Sequence, residues 1–191
     1  MDSLNGIELS ELLEAIQSSS VLCGATRIVT IDGPAGSGKT TLANKLATEF
    51  AKKVGEISVI HLDELYDGWD GALDAKLFER IEAWILTPIR NDLSPKHLQY
   101  DWHLGKFTTW NELPLTSVLI IEGVGAGHTM LRPEVSQAVW IEADEDLLLD
   151  RVVQRDGEVV RNEMLIWKAR ERDYFELHNV KQSAHFHFVG Q

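Results

Sequence analysis

Apolar positions along this chain repeat with two periods, and the switches between them mark its elements. Leu9, Leu12, Leu13 and Ile16 recur at helical spacing with Glu8, Glu11 and Glu14 between them, which predicts an amphipathic helix ending near Ser18-Ser19-Ser20. The β-branched run Ile28-Val29-Thr30-Ile31 predicts a strand. Leu42, Leu46 and Phe50 stand four apart while Lys45, Lys52 and Lys53 fall largely elsewhere, so a helix with one face on a sheet follows. Ile57-Ser58-Val59-Ile60-His61-Leu62 is nearly continuous in apolar character, as a buried parallel strand is, and completes a βαβ unit. Asp63 to Gly71 is rich in Asp, Gly and aromatics and predicts a loop. Leu77, Ile81 and Ile85 predict a helix with Pro88 near its end. Between Pro88 and Pro114 the pattern is irregular and predicts no element. Strands return at Val118–Ile121 and Ala138–Ile141, and Asp144-Glu145-Asp146 suits the first turn of a helix through Leu147, Leu148 and Val152. The alternating run Ala184 to Val189 predicts an edge strand.

Composition narrows what such an α/β chain can do. At 191 residues and 44% hydrophobic it suits one domain, residues 1–191, with a substantial core. Eighteen basic residues against thirty acidic ones leave −12, which argues against nucleic acid or an anionic membrane as the main partner. The lone Cys23 excludes an internal disulfide and suits a reducing compartment. No apolar run approaches the ~20 residues that span a bilayer. Met1-Asp2-Ser3-Leu4-Asn5 lacks the basic-then-apolar form of a signal peptide, so a cytoplasmic protein is expected. The oligomeric state stays open, with a homo-oligomer among the options.

The candidate chemistry centres on Gly33-Pro34-Ala35-Gly36-Ser37-Gly38-Lys39-Thr40, which fits G-x-x-x-x-G-K-[ST] between a strand and a helix. Its glycines let backbone N–H groups and a helix N-terminus close around phosphates. Nucleotide contacts are expected from Gly33, Ala35, Gly36, Ser37, Gly38, Lys39, Thr40 and Thr41, with Lys39 on the β- and γ-phosphates of ATP and the Thr40 hydroxyl on Mg²⁺. Asp63 and Glu122 follow strands and so belong at the ligand-binding end of a parallel sheet. Phosphoryl transfer to an alcohol calls for one acid on the metal side, assigned to Glu122, and one aimed at the hydroxyl, assigned to Asp63. From Arg151 to Arg172 the charge balance is +2, and Arg151 and Arg155 share a helix face, as in a lid that presents arginines to phosphates. Lys39, Asp63 and Arg155 are the expected catalytic set. The segment from Val54 to Ser117 carries −6, so an already phosphorylated acceptor lacks an arginine clamp there. An uncharged small-molecule acceptor is expected, with Asp63, Tyr66 and Asp101 as its contacts and Trp69, Tyr100, Trp102 and His103 near it.

The phosphate loop, Asp63-Glu64-Leu65-Tyr66, Tyr100-Asp101-Trp102, Ile120-Ile121-Glu122-Gly123 and Arg151 with Arg155-Asp156 together resemble the uridine kinase and phosphoribulokinase group of P-loop kinases, over roughly residues 26–175. Leu65-Tyr66-Asp67-Gly68-Trp69 and Glu122-Gly123-Val124-Gly125 are similar to short bacterial uridine-kinase-like ATP-binding proteins. The resemblance implies a three-layer P-loop NTPase fold with a small arginine-bearing lid within about 151–172, an aspartate base at Asp63, a magnesium-side glutamate at Glu122 and ATP contacts from Arg151 and Arg155. Ile31 to Lys39 also looks like the cytidylate kinase loop, so a nucleoside monophosphate kinase is one alternative; a slowly hydrolysing ATP-binding regulatory module is another. His185 and His187 share one strand face without a third metal ligand in a recognisable pattern.

Overall fold

Runs of β-branched and aliphatic residues become strands here because helices cover both faces of the sheet they form. The computed structural model describes residues 6–190, so the Met1–Asn5 reading lies outside the described residues. In chain order, helix α1 (Gly6–Ser18) precedes strand β1 (Arg27–Asp32), the glycine-rich loop, helix α2 (Lys39–Lys53) and strand β2 (Ser58–His61). Helix α3 (Ala75–Ile81) runs through a π-turn at Glu82–Leu86 into α4 (Thr87–Arg90), which holds Pro88 in its first turn. Strands β3 (Lys96–Asp101) and β4 (Lys106–Glu112) come next, then β5 (Val118–Glu122) and β6 (Val135–Glu142). The chain closes with α5 (Glu145–Asp156), α6 (Arg161–Leu177), α7 (Val180–Ser183) and β7 (Phe186–Val189).

Five strands make a wholly parallel sheet in the order β2-β5-β1-β6-β7. Alternate side chains along each strand feed two cores. Val29, Ile31, Ile120, Val139 and Ile141 pack with Leu12, Leu13 and Ile16 of α1 and Leu42, Leu46 and Phe50 of α2. Ile28, Leu119, Ile121 and Trp140 pack on the other face with the α3–α4 helix and with Met164, Trp167 and Tyr174 of α6. This is the three-layer architecture expected for a P-loop NTPase. Side chains buried on both faces explain why β5 reads Val-Leu-Ile-Ile without alternation.

Two elements depart from the sequence reading. The stretch left without elements contains an antiparallel hairpin, β3 paired with β4, with a register shift between Gln99 and Tyr100. The segment read as a lid is largely helical: α5 ends before Gly157, and α6 lays Met164, Trp167, Glu171 and Tyr174 into the structure as one buried stripe. Among the described residues no helix is long and apolar enough to cross a membrane.

Ile120 is fully buried in the strand at the centre of both pairings. Replacing it with alanine is expected to lower the unfolding free energy by about 2–5 kcal/mol, read from urea denaturation, because the rigid sheet cannot collapse onto the void. A loss below about 1 kcal/mol contradicts this packing.

Candidate active site

The site forms where β1, β5 and β2 end side by side. The last residue of β1, Asp32, is 1% exposed. Its carboxylate accepts hydrogen bonds from the backbone N–H groups of Gly33 (2.7 Å), Gly125 (3.2 Å) and Gly127 (2.8 Å) and from the Tyr174 hydroxyl (3.0 Å). Burial raises this carboxyl to about 6, against the opposing pull of those donors and of Lys39. One side chain thereby fixes the start of the phosphate loop, the turn after β5 and helix α6.

Close approach of backbone to backbone dictates the loop's first glycines. A Cβ on Gly33 would lie 1.9 Å from the Ile141 carbonyl oxygen, and one on Gly36 would lie 2.5 Å from that of Leu148. Both also take positive φ, which glycine adopts without penalty. The loop leads into the N-terminus of α2, where Lys39 is buried and donates to the carbonyls of Gly33 (2.8 Å) and Pro34 (2.9 Å). Burial lowers the lysine's pKa, while the charges of Glu122, Asp32 and Glu171 oppose that shift. Arg151 of α5 donates to the Gly36 carbonyl at 3.3 Å.

Glu122 ends β5 and is buried. One of its oxygens accepts from the Thr40 hydroxyl at 2.8 Å and meets Nδ1 of His61 at 2.5 Å. That bond raises the His61 pKa. Asp63 lies just past β2 with its carboxylate open to solvent and yet ringed by protein atoms. This partial desolvation raises its pKa, and the nearby Glu122 charge adds to the effect. The Trp102 indole donates to the Asp63 carbonyl at 3.0 Å, so the β3–β4 hairpin leans on this end of the site. Trp102 in turn lies 5.2 Å from Trp69 and 5.3 Å from Tyr100, ring centre to ring centre.

Gly33, Ala35, Gly36, Ser37, Gly38, Lys39, Thr40, Glu122, Asp63 and Arg151 thus stand near one another at the ends of β1, β5 and β2. Thr41 is exposed on the first turn of α2. Arg155 holds Asp156 through two bonds of 2.7 Å, while its charge reaches Lys39, Asp63 and Glu122. Tyr66 and Asp101 need correction as acceptor contacts. The Tyr66 hydroxyl is buried and donates to the Val124 carbonyl at 2.5 Å. The Asp101 carboxylate accepts from the His103 and Leu104 N–H groups at 2.9 Å each, closing the hairpin turn. His185 and His187 are exposed, and no cluster of three or more metal-binding side chains (His, Cys, Asp or Glu) occurs among the described residues.

Three residues here escaped the sequence reading: Asp32, His61 and Glu171. The last is buried on α6 and accepts from the Ala35 N–H of the phosphate loop at 3.0 Å. Burial raises its carboxyl to about 7. Its sequence signal was the spacing Met164, Trp167, Glu171, Tyr174, a helical stripe with one acid in it.

A family model for the AAA domain matches residues 29–176. No curated protein matches in sequence. Among solved structures, the chain is similar to a possible uridine kinase from Bacillus stearothermophilus, with a TM-score of 0.70 at 20% identity, covering 95% of this chain and 97% of that one. It is also similar to D-glycerate 3-kinase from Cryptococcus neoformans var. grubii serotype A, with a TM-score of 0.56 at 15% identity, covering 89% and 84%. At these identities the likeness is one of fold.

The raised Asp32 carboxyl has a consequence for stability. The native state holds that proton more tightly than the unfolded chain does, so the residue's contribution to stability falls as pH rises from about 4 through about 6. Relative to Asp32→Asn, the wild-type protein is expected to lose up to about 3 kcal/mol of unfolding free energy between pH 4 and pH 7. Paired urea titrations across that range measure it, and a difference that stays flat with pH contradicts the buried, ionising carboxylate.

Proposed function

The chain belongs to the AAA domain family, and we propose that it is an ATP-dependent small-molecule kinase. In this reading it moves the γ-phosphate to a hydroxyl of an uncharged, nucleoside-like acceptor in the cytoplasm. The observation that carries the reading is the convergence of two acids from adjacent strand ends on one phosphate loop. Glu122 is already tied to the Thr40 hydroxyl, and Asp63 stands open to solvent beside it. A nucleotide-binding switch has no use for the second carboxylate; a transferase to an alcohol does.

Each residue then has a task. Backbone N–H groups from Gly36 to Thr40 at the N-terminus of α2 receive the phosphates of ATP, the Gly33 and Ala35 N–H groups being held by Asp32 and Glu171. Lys39 turns from the Gly33 and Pro34 carbonyls to the β- and γ-phosphates. Arg151 and Arg155 face the charge that spreads over the transferred group, and for Arg155 this means releasing Asp156. Thr40 and Glu122 bring together two hard oxygen donors of the kind Mg²⁺ prefers. They would hold the ion, which supplies neutralisation of the β- and γ-oxygens. His61 keeps the Glu122 carboxylate oriented. Asp63 receives the proton of the attacking hydroxyl, and the upward shift of its carboxyl makes it a stronger base than a free aspartate.

An uncharged acceptor fits the surroundings of Asp63, where Glu64 and Glu122 stand close and would repel an anion. The tryptophans at 69 and 102 give a ring or sugar face something to pack on.

Offering the protein Mg·ATP with a panel of nucleosides, sugars and vitamins, and following acceptor-dependent ADP release, tests the reading. With the acceptor so found, Asp63→Asn is expected to bind ATP as wild type does and to lose transfer by roughly 10²-fold or more. Turnover unchanged in that variant removes Asp63 as the base.

A further inference from the structure

Glu171 has a partner that the kinase reading leaves unexplained. Its carboxylate sits on the Ala35 N–H, part of the loop that receives phosphate, and the side chain is 4% exposed. Among the described residues, Lys39 is the cation whose charge chiefly reaches it, and that ammonium is committed to the Gly33 and Pro34 carbonyls. The other ionisable groups facing it, Asp32 on β1 and Tyr66 in the loop after β2, bring no positive charge. Arg170, next to it on α6, turns away and donates to the Trp69 and Asp70 carbonyls at 2.6 and 2.8 Å. An anion is thus held in a desolvated place, one loop residue away from where a triphosphate with several negative charges would arrive. Like charges at such range in a partly dry site cost too much to coexist.

We propose that Glu171 makes nucleotide binding proton-linked: as the triphosphate enters the phosphate loop, this carboxylate takes up one proton from solvent and stays in place as a neutral acid. The inference rests on the nucleotide-binding part of the reading above. The bond to Ala35 survives the change, because a neutral carboxyl still accepts through its carbonyl oxygen. Its starting value of about 7 means that little further shift is needed to neutralise it. Helix α6 is then kept docked on the loop through Glu171 and Tyr174 while the charge it carried is removed.

Linkage fixes the sign. A site that must gain a proton to accept its ligand binds that ligand more weakly as pH rises, by up to about tenfold per pH unit. Titrating the full chain with a fluorescent, non-hydrolysable ATP analogue and Mg²⁺ from pH 6 to pH 9 measures it. Wild type is expected to weaken tenfold or more between pH 7 and pH 9. Glu171→Gln keeps the shape and an oxygen for Ala35 and is expected to lose that slope, binding at least tenfold tighter than wild type at pH 9 and within threefold of it at pH 6. Titration of the analogue and of His61 is common to both proteins and cancels in the comparison. Calorimetry in buffers of different ionisation enthalpy gives a second readout, proton uptake at pH 8 that is present in wild type and absent in the variant. Should Glu171→Gln fold poorly by circular dichroism, the wild-type uptake alone decides, and its absence overturns the proposal. Equal pH slopes in the two proteins overturn it while leaving nucleotide binding intact. No binding of the analogue at any pH overturns the nucleotide reading itself and the proposal with it.

Discussion

The arrangement depends on one buried carboxylate. Asp32 accepts four hydrogen bonds from three separate parts of the chain and so ties them together at one buried point. The phosphate loop starts at its first donor, the turn that follows Glu122 supplies two more, and α6 supplies the last. Glycine at 125 and 127 lets two N–H groups converge on the same oxygen. The cost is a carboxyl held far from water, visible in its upward shift. The gain is that strand ends, loop and helix share one reference point, so Glu122, Thr40 and Lys39 are aligned by the same anchor that aligns the loop.

Charge at the site is arranged in pairs that nucleotide binding would have to rearrange. Lys39 neutralises no carboxylate directly and holds loop carbonyls. Arg155 holds its own neighbour. Glu171 occupies a loop amide. A site preset this way stores its cations against local oxygens, which phosphates can replace oxygen for oxygen.

The sheet, α2 and the phosphate loop are legible in the sequence because their signals are local: β-branched runs, four-residue apolar spacing and fixed glycine positions. Asp63 and Glu122 are legible because strand ends in a parallel sheet have a known use. The β3–β4 hairpin is not, since Lys96-His97-Leu98-Gln99 and Thr108-Thr109-Trp110-Asn111 are polar on both faces and β4 is largely exposed. Helix α6 escaped because its arginines drew the reading toward phosphates, although the buried stripe from Met164 to Tyr174 is helical by spacing. Tyr66 and Asp101 failed for a different reason. A tyrosine hydroxyl or a loop aspartate suits a ligand and a backbone partner equally, and only the fold shows that Val124 and the hairpin turn claim them. Asp32 and Glu171 take partners 93 and 136 residues away, a distance over which no local pattern speaks.

The order of the strands has a consequence for how the molecule comes into being. Strand β1 lies between β5 and β6, so the partner of Arg27 is Val118 and that of Thr30 is Ala138. Emerging from the ribosome, strand β1 therefore waits with both of its edges bare until β5 and β6 follow, and β1 and β2, consecutive in the chain, never pair with each other. Nascent chains of this kind close late and all at once. The topology thus leaves that apolar ribbon exposed during synthesis until its distant partners arrive, independent of anything the finished protein binds.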